Sequence, residues 1–307
     1  MESDKKNKPK NSDFKQQRLK GWQCIPSRKA GAVIYMVLGL LFLTVGVIIT
    51  TESNSVVEVT QRYDDKCSKN ETNCKVGIHI PQKMNSPVFL YYIIEEMYQN
   101  HREYSDSRSV NQLLGHEVDR DTIKSHCKPI ETVGDLNTDE AKNLPSSTPA
   151  NPCGLIARSH FNDTFRLSFD EGGNVKIHEN GISWDNDKFR KPKDEDDTWI
   201  DVTDEHFIVW MSVGGLPKLK KLWGKIKQDL DEGHYQMYVD NFYDVNNFDG
   251  KKYVHLTTTW GLGGNIGFLG IIYILVGCFS ILGSGLMAFS AYYRKKKGLF
   301  LVNDKDN

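Results

Sequence analysis

The sequence predicts a membrane protein in which two transmembrane α-helices flank an antiparallel, β-rich domain that also carries helices. Three observations carry that prediction. Residues 30–51 form an uncharged apolar run, and most of residues 256–293 form a second. A helix of about 20 apolar residues crosses a hydrocarbon core of about 30 Å, so each run is long enough. Between them lies a long polar stretch whose apolar residues repeatedly alternate with polar ones, the period of a half-buried strand. The net charge of −1 and mean hydropathy of −0.50 conceal this layout, because the polar middle dilutes both runs.

The chain divides into a basic tail (1–29), a first span (30–51), a middle domain (52–263), a second span (264–293) and a short tail (294–307). Lys5, Lys6, Lys8, Lys10, Lys15, Arg18, Lys20, Arg28 and Lys29 precede the first span, and Arg294, Lys295, Lys296 and Lys297 follow the second. Basic residues beside a span stay in the cytosol, whereas long loops translocate whatever their charge. Both tails are therefore expected to face the cytosol and the middle domain the exoplasm. The first run is read as a retained anchor. It exceeds the 7–15 residues of a signal-peptide core, and no small-x-small cleavage site follows Thr50, Thr51 and Glu52.

Cysteine placement fits that topology. Cys67, Cys74, Cys127 and Cys153 lie in the middle domain, Cys24 before the first span and Cys278 within the second. Four cysteines in an oxidising compartment read as two disulfides with three possible pairings. Neighbour pairing is preferred because short loops close most easily. No C-x-x-C or H-x-x-x-H spacing supports a zinc site instead. Asn70-Glu71-Thr72 and Asn162-Asp163-Thr164 are N-glycosylation sequons in the same domain.

In chain order, alternation at Val57, Val59, Gln61 and Tyr63 predicts a strand leaving the membrane. Ser86-Pro87 reads as a cap and first turn, predicting a helix through residue 99 that is apolar nearly all round. Residues 132–150, with their Gly, Asn, Ser and Pro, read as a loop. Phe165, Leu167 and Phe169, the turn Asp170-Glu171-Gly172-Gly173-Asn174, then Val175 and Ile177 predict a hairpin. Further strands are expected at residues 207–211, 235–239 and 253–259. A basic amphipathic helix is expected where Leu219, Leu222, Trp223 and Ile226 form a stripe beside Lys218, Lys220, Lys221, Lys225 and Lys227.

Motifs for chemistry are sparse. Neither span holds an Asp, Glu, Lys, Arg or His, the groups that ion and proton pathways in membranes use. Small residues Ser280, Ser284 and Ala288, beside Gly277 and Gly285, suit close helix packing, either with the first span or with a larger membrane protein. Gly261-Leu262-Gly263-Gly264 lacks the Lys-Ser/Thr of a phosphate loop. Asp194-Glu195-Asp196-Asp197 reads as a solvated acidic loop. The oxygens of residues 244–250 are mis-spaced for a calcium loop. His206, beside Asp204 and Glu205, is placed in a strand, where neighbours point to opposite faces. The sequence therefore assigns no catalytic residue, metal ligand or cofactor, and no nucleic-acid partner, since the tail lysines lack interleaved aromatics.

Several stretches together resemble the cell division control protein 50 family, also called ligand-effect modulators. Phe14-Lys15-Gln16-Gln17-Arg18-Leu19 with Trp22 and Pro26 is similar to that family's approach to its first span. Tyr98-Gln99-Asn100-His101-Arg102, Tyr104, Ser107-Arg108-Ser109, Gln112-Leu113 and Gly115 resemble its long polar signature. Pro152-Cys153-Gly154-Leu155-Ile156-Ala157 followed by Phe161-Asn162-Asp163-Thr164 resemble a second. Phe207-Ile208-Val209-Trp210-Met211, Leu216-Pro217, Lys221-Leu222 and Leu262-Gly263-Gly264-Asn265 with Phe268-Leu269-Gly270 complete the set. The chain departs at Ser212, Gly267 and Lys20-Gly21, and lacks a Lys usual in the Gly-Gly-Lys-Asn stretch.

The resemblance implies a sandwich-like ectodomain and a non-catalytic β subunit in a heterodimer with a type IV P-type ATPase that moves phospholipid. It implies a Cys127–Cys153 disulfide and favours Asn162 as the occupied sequon. Phe14, Arg18, Trp22, Ser280, Ser284 and Ala288 are the candidate docking residues. The expected setting is the endoplasmic reticulum, the Golgi or endosomal membranes, or the plasma membrane. A two-pass receptor or channel subunit and an ecto-enzyme are the alternatives.

Overall fold

A computed structural model describes residues 11–19, 21, 26–138, 140–169, 172–187 and 198–296. Trp22, Cys24, Asp170, Glu171, the acidic run at 194–197 and the lysines before residue 11 lie outside them. The chain forms two compact units, Met1–Thr51 with Ile266–Asn307, and Glu52–Asn265.

The first unit is built on α1 (Arg28–Asn54) and α8 (Gly267–Lys296). Both are long and apolar enough to cross a membrane. Their large side chains point outward, with Phe279 72% and Leu286 71% exposed, while Gly270, Gly277 and Ser284 are buried. That inversion suits lipid, which solvates Leu and Phe but not a backbone. Hydroxyls in the spans are satisfied internally, as Thr44, Thr51 and Ser280 donate to carbonyls three or four residues back.

The second unit holds two antiparallel sheets. One runs in the order β1 (Glu58–Arg62), β9 (Lys252–Thr257), β3 (Val88–Ile94), β7 (Leu219–Ile226), β6 (Ile177–His178). The other runs β2 (Glu71–Ile80), β8 (Gly233–Asn241), β4 (Thr164–Phe169), β5 (Asn174–Val175). Alternation buries Cys74, Val76, Ile78 and Ile80 of β2 and Tyr235, Met237 and Val239 of β8 in the core. The inner faces meet where Phe165 of β4 stands edge-on to Trp223 of β7, centroids 5.2 Å apart. Short helices fill the connections: α2 (Arg102–Asp106), α3 (Val110–Leu113), α4 (Arg120–His126), α5 (Val133–Leu136), α6 (Leu155–Arg158) and α7 (Glu205–Met211).

The strands expected at 57–63, 165–169, 235–239 and 253–259 are present. Four expectations are corrected. Residues 88–94 are not a helix but β3, hydrogen-bonded to β7 on one side and β9 on the other. A seven-residue run of aromatic and branched side chains, with no polar residue to mark its outer face, reads as apolar all round without being helical. Ser86-Pro87, read as a helix start, is a cis peptide before that strand.

Residues 219–226 are likewise a strand. A bulge leaves Trp223 between the pairs Leu222↔Tyr91 and Gly224↔Leu90, so burial shifts parity there. The extra residue breaks the period of two and imitates a helical stripe. Residues 207–211 are instead the helix α7. The Asp204 carboxylate caps it by accepting from the His206 amide at 3.0 Å, and Phe207, Ile208, Trp210 and Met211 are buried at helical spacing. His206 thus sits in a first turn, with Nε2 3.1 Å from Glu179. The hairpin also splits: Val175 pairs with β4, whereas Ile177 crosses to pair with β7. Within the 132–150 loop, α5 forms because the Asp135 carboxylate accepts from the Thr132 amide and hydroxyl, each at 2.8 Å.

Candidate interaction site

The polar signature residues are used inside the domain. Short helices leave many backbone groups without a ladder partner, and side chains must supply the missing bonds. Gln112 bridges two segments, its Nε2 donating to the Ala150 carbonyl at 2.9 Å and its Oε1 accepting from the Cys153 amide at 3.0 Å. Ser107 Oγ donates to the Lys128 carbonyl at 2.7 Å and accepts from the Leu155 amide at 2.9 Å. Gln99 Oε1 accepts from the Gly214 amide, Asn100 donates to the Gly215 carbonyl, and Arg108 donates to the Met211 carbonyl. Trp199 and Trp210 donate to the Pro152 and Ile156 carbonyls. Tyr104 lies against Ser159 at 2.7 Å, and burial pushes its hydroxyl up to about 12.

This network surrounds the Cys127–Cys153 disulfide, and a second bond joins Cys67 to Cys74. By restricting the unfolded chain, the longer loop contributes roughly 3 kcal/mol.

A buried ion pair underlies the second signature. Lys252 Nζ lies 2.6 Å from Asp163 Oδ2, with side chains 1% and 0% exposed. Tyr63 donates to the same oxygen at 2.7 Å, and the Phe242 and Tyr243 amides donate to the other at 2.7 and 2.6 Å. Burial pushes the Lys252 ammonium down, against the pull of the Asp163 carboxylate. Asn241 and the Tyr243 carbonyl also accept from Lys252. Both flanking sequon residues point outward. Asn162 is exposed, and Thr164 donates to Asp240 at 2.7 Å.

On the outer side of β3 and β7 runs a groove of about 780 Å³, lined in part by Phe89, Tyr91, Trp184, Leu216 and Lys220. The Lys220 ammonium stands 4.5 Å over the Tyr91 ring. Trp184 and Leu216, 81% and 70% exposed, are large apolar groups offered to solvent. One wall is held by Glu205, which accepts from the amides of Gly181, Ile182 and Ser183 at 2.7–2.9 Å.

Burial pushes the Glu205 carboxyl up, but the amides and the Ser183 hydroxyl outweigh it and hold it at about 2. A carboxyl depressed in this way stabilises the fold above its unfolded value of 4.5, and the benefit is lost as pH falls through about 2. Glu205→Gln is therefore expected to lower the melting temperature at neutral pH. The gap from the parent protein should close as pH falls from 4.5 towards 2, which thermal scans at several pH values would follow.

The candidate docking residues do not form one surface. Phe14 and Arg18 are exposed, Trp22 lies outside the described residues, Ser280 is half-buried and Ala288 exposed. Ser284 alone of the three small residues faces α1, donating to the Ala32 carbonyl at 2.7 Å. The seam between the spans has a period of seven, which sequence reasoning missed: Ala32, Gly39 and Gly46 on α1 meet Ser284, Gly277 and Gly270 on α8, antiparallel. That period, written into both apolar runs, was the available signal. A Cβ at Gly277 would lie 2.9 Å from both the Gly39 carbonyl oxygen and the Leu43 nitrogen. Gly277→Leu should force the helices apart at a cost of about 1–3 kcal/mol or more, seen as lower yield and melting temperature in mild detergent.

Two long apolar helices flanking a disulfide-bonded, two-sheet domain define an integral membrane protein with two candidate spans. The chain belongs to the LEM3 (ligand-effect modulator 3) family / CDC50 family, whose pattern matches residues 49–297. It is 35% identical to ALA-interacting subunit 3 of Arabidopsis thaliana, over 94% of this chain and 87% of that protein. It is 33% identical to Cell cycle control protein 50A of Bos taurus, over 94% and 91%. Cell cycle control protein 50C of Mus musculus is 28% identical, over 90% and 91%.

Proposed function

We propose that this chain is the non-catalytic accessory (β) subunit of a type IV P-type ATPase, forming a heterodimer that moves phospholipid from the exoplasmic to the cytosolic leaflet. The subunit supports the pump's exit from the endoplasmic reticulum, its stability and its activity. Family membership, matched from residue 49 at the end of the first candidate span through the two-sheet domain and the second span to residue 297, carries this reading. Both tails face the cytosol and the two-sheet domain faces the exoplasm, in keeping with Arg28 and Lys29 at one helix end and Arg294, Lys295 and Lys296 at the other. Asn162 and Asn70, both exposed, are the glycan acceptors. Selective binding of one pump conformation is the physical means by which a subunit without chemistry changes a catalytic cycle.

The test is pulldown of the full chain in mild detergent, with its partner identified, and phospholipid uptake measured with and without the chain. Co-purification of a P-type ATPase and reduced uptake on loss of the chain are expected. Assembly into a homotrimer lacking any ATPase, or lipid movement by the purified chain alone in vesicles, would overturn the proposal.

A further inference from the structure

Strand β2 is an edge strand, paired with β8 on one side and, among the described residues, with no strand on the other. One end of it is well secured. Cys74 is bonded to Cys67, and the Asn241 side chain of β8 donates to the Cys67 and Ser68 carbonyls, each at 3.0 Å. Past the other end, Met84 and Leu230 exchange backbone hydrogen bonds at 2.8 and 2.9 Å, but no covalent bond joins the strands. At that end His79 of β2 and His234 of β8 are register partners.

Directly opposed residues of an antiparallel pair project from the same face, with Cβ atoms about 4.5–5.5 Å apart. The two imidazoles accordingly lie side by side, centroids 4.7 Å apart and planes 31° from parallel. Both residues are exposed, and neither ring makes a hydrogen bond or ion pair among the described residues. The fold thus brings together, from strands far apart in the sequence, two nitrogen ligands that nothing else in the domain uses.

We propose that His79 and His234 chelate a divalent transition-metal ion, cross-linking β2 to β8 at the end away from the Cys67–Cys74 disulfide. Metal–nitrogen bonds of about 2.0–2.1 Å place two nitrogens on one ion roughly 3 Å apart. Rings with centroids 4.7 Å apart reach that spacing by side-chain rotation alone. The described residues gather no group of three or more His, Cys, Asp or Glu, so water completes the coordination. Imidazole suits Cu²⁺, Ni²⁺ and Zn²⁺, and Cu²⁺ binds such nitrogens most tightly of the three. An unfolded chain does not hold the two rings together. The ion therefore favours the folded state and stabilises it by mass action.

The experiment uses the full chain in mild detergent, with any histidine tag removed and metal stripped by chelator. Cu²⁺ alone and Zn²⁺ alone are titrated while thermal unfolding is followed, and the Cu²⁺ form is examined by electron paramagnetic resonance. The parent protein should bind one ion, melt at a higher temperature with it, and show hyperfine structure from two nitrogens. His79→Ala and His234→Ala should each weaken binding by more than the roughly 10–100-fold that a mere outer-shell partner is worth. His116→Ala, at an exposed histidine elsewhere, should change neither. Because both rings are exposed, the variants are expected to fold, and their metal-free melting temperature checks this. If His79→Ala and His234→Ala together leave affinity and spectrum unchanged, the ion is adventitious and the proposal fails. An absence of any metal-dependent shift in the parent protein would also overturn it.

Discussion

Lys252→Met is expected to destabilise the two-sheet domain by about 3–5 kcal/mol, because it leaves the Asp163 carboxylate buried without a counter-charge. Asp163 is 2% exposed as a residue, and its remaining partners are one hydroxyl and two amides. Those bonds orient the carboxylate but do not neutralise it. Loss of the ammonium also strips donors from Asn241 and the Tyr243 carbonyl, so three strand ends loosen together. Chemical unfolding of the full chain in detergent would measure the effect. Lys252→Met combined with Asp163→Asn separates the terms, since the amide keeps an acceptor for the Phe242 and Tyr243 amides and carries no charge. Recovery of a substantial part of the loss in the pair would show coupling through charge. A Lys252→Met loss below about 1 kcal/mol, the range of exposed pairs, would mean that water reaches the site.

The parts of the fold that were legible in the sequence are those where one physical signal acts alone. Absence of charge marks α1 and α8, and strict alternation marks β4 and β8. The misread segments carry two competing signals. In β3, burial alternates from Val88 to Tyr91, but the partly exposed Phe89 and Tyr91 are themselves apolar or aromatic, so the sequence shows no alternation. In β7, the bulge at Trp223 replaces one period with a mixture that fits a helix. In α7, a five-residue apolar run fits either period, and the carboxylate of Asp204 just before it decides.

The candidate site was legible only in outline. The signature residues stand out as a pattern, yet their work is done on backbone atoms distant in the chain, as when Gln112 bonds Ala150 and Cys153. No local spacing encodes such a bond. The His79 and His234 pair was invisible for the same reason, since only the β2–β8 register joins them.

Gly154→Ala is expected to be as damaging as breaking the ion pair, although it adds a single methyl group. Gly154 has φ +102°, a conformation that an L side chain rarely adopts. A Cβ built there would lie 2.1 Å from the Ser107 carbonyl oxygen, 2.6 Å from its carbon and 3.0 Å from the Arg108 Cα. All three are backbone atoms, so no rotamer change relieves the clash. Either the 107–108 segment or the 153–155 segment must move. The first carries the Ser107 hydroxyl that accepts from the Leu155 amide, and the second follows the Cys127–Cys153 disulfide. Overpacking and backbone strain act together here, and a loss of about 4 kcal/mol or more is expected, at the far end of what single substitutions do. Unfolding of the full chain in detergent would measure it, with Gly77→Ala, where a Cβ meets nothing within 4 Å, as the control. A Gly154→Ala protein as stable as that control would show that the two segments part without loss. The bonds through Ser107 and Gln112 would then be incidental to the fold rather than what holds these short helices against the sheets.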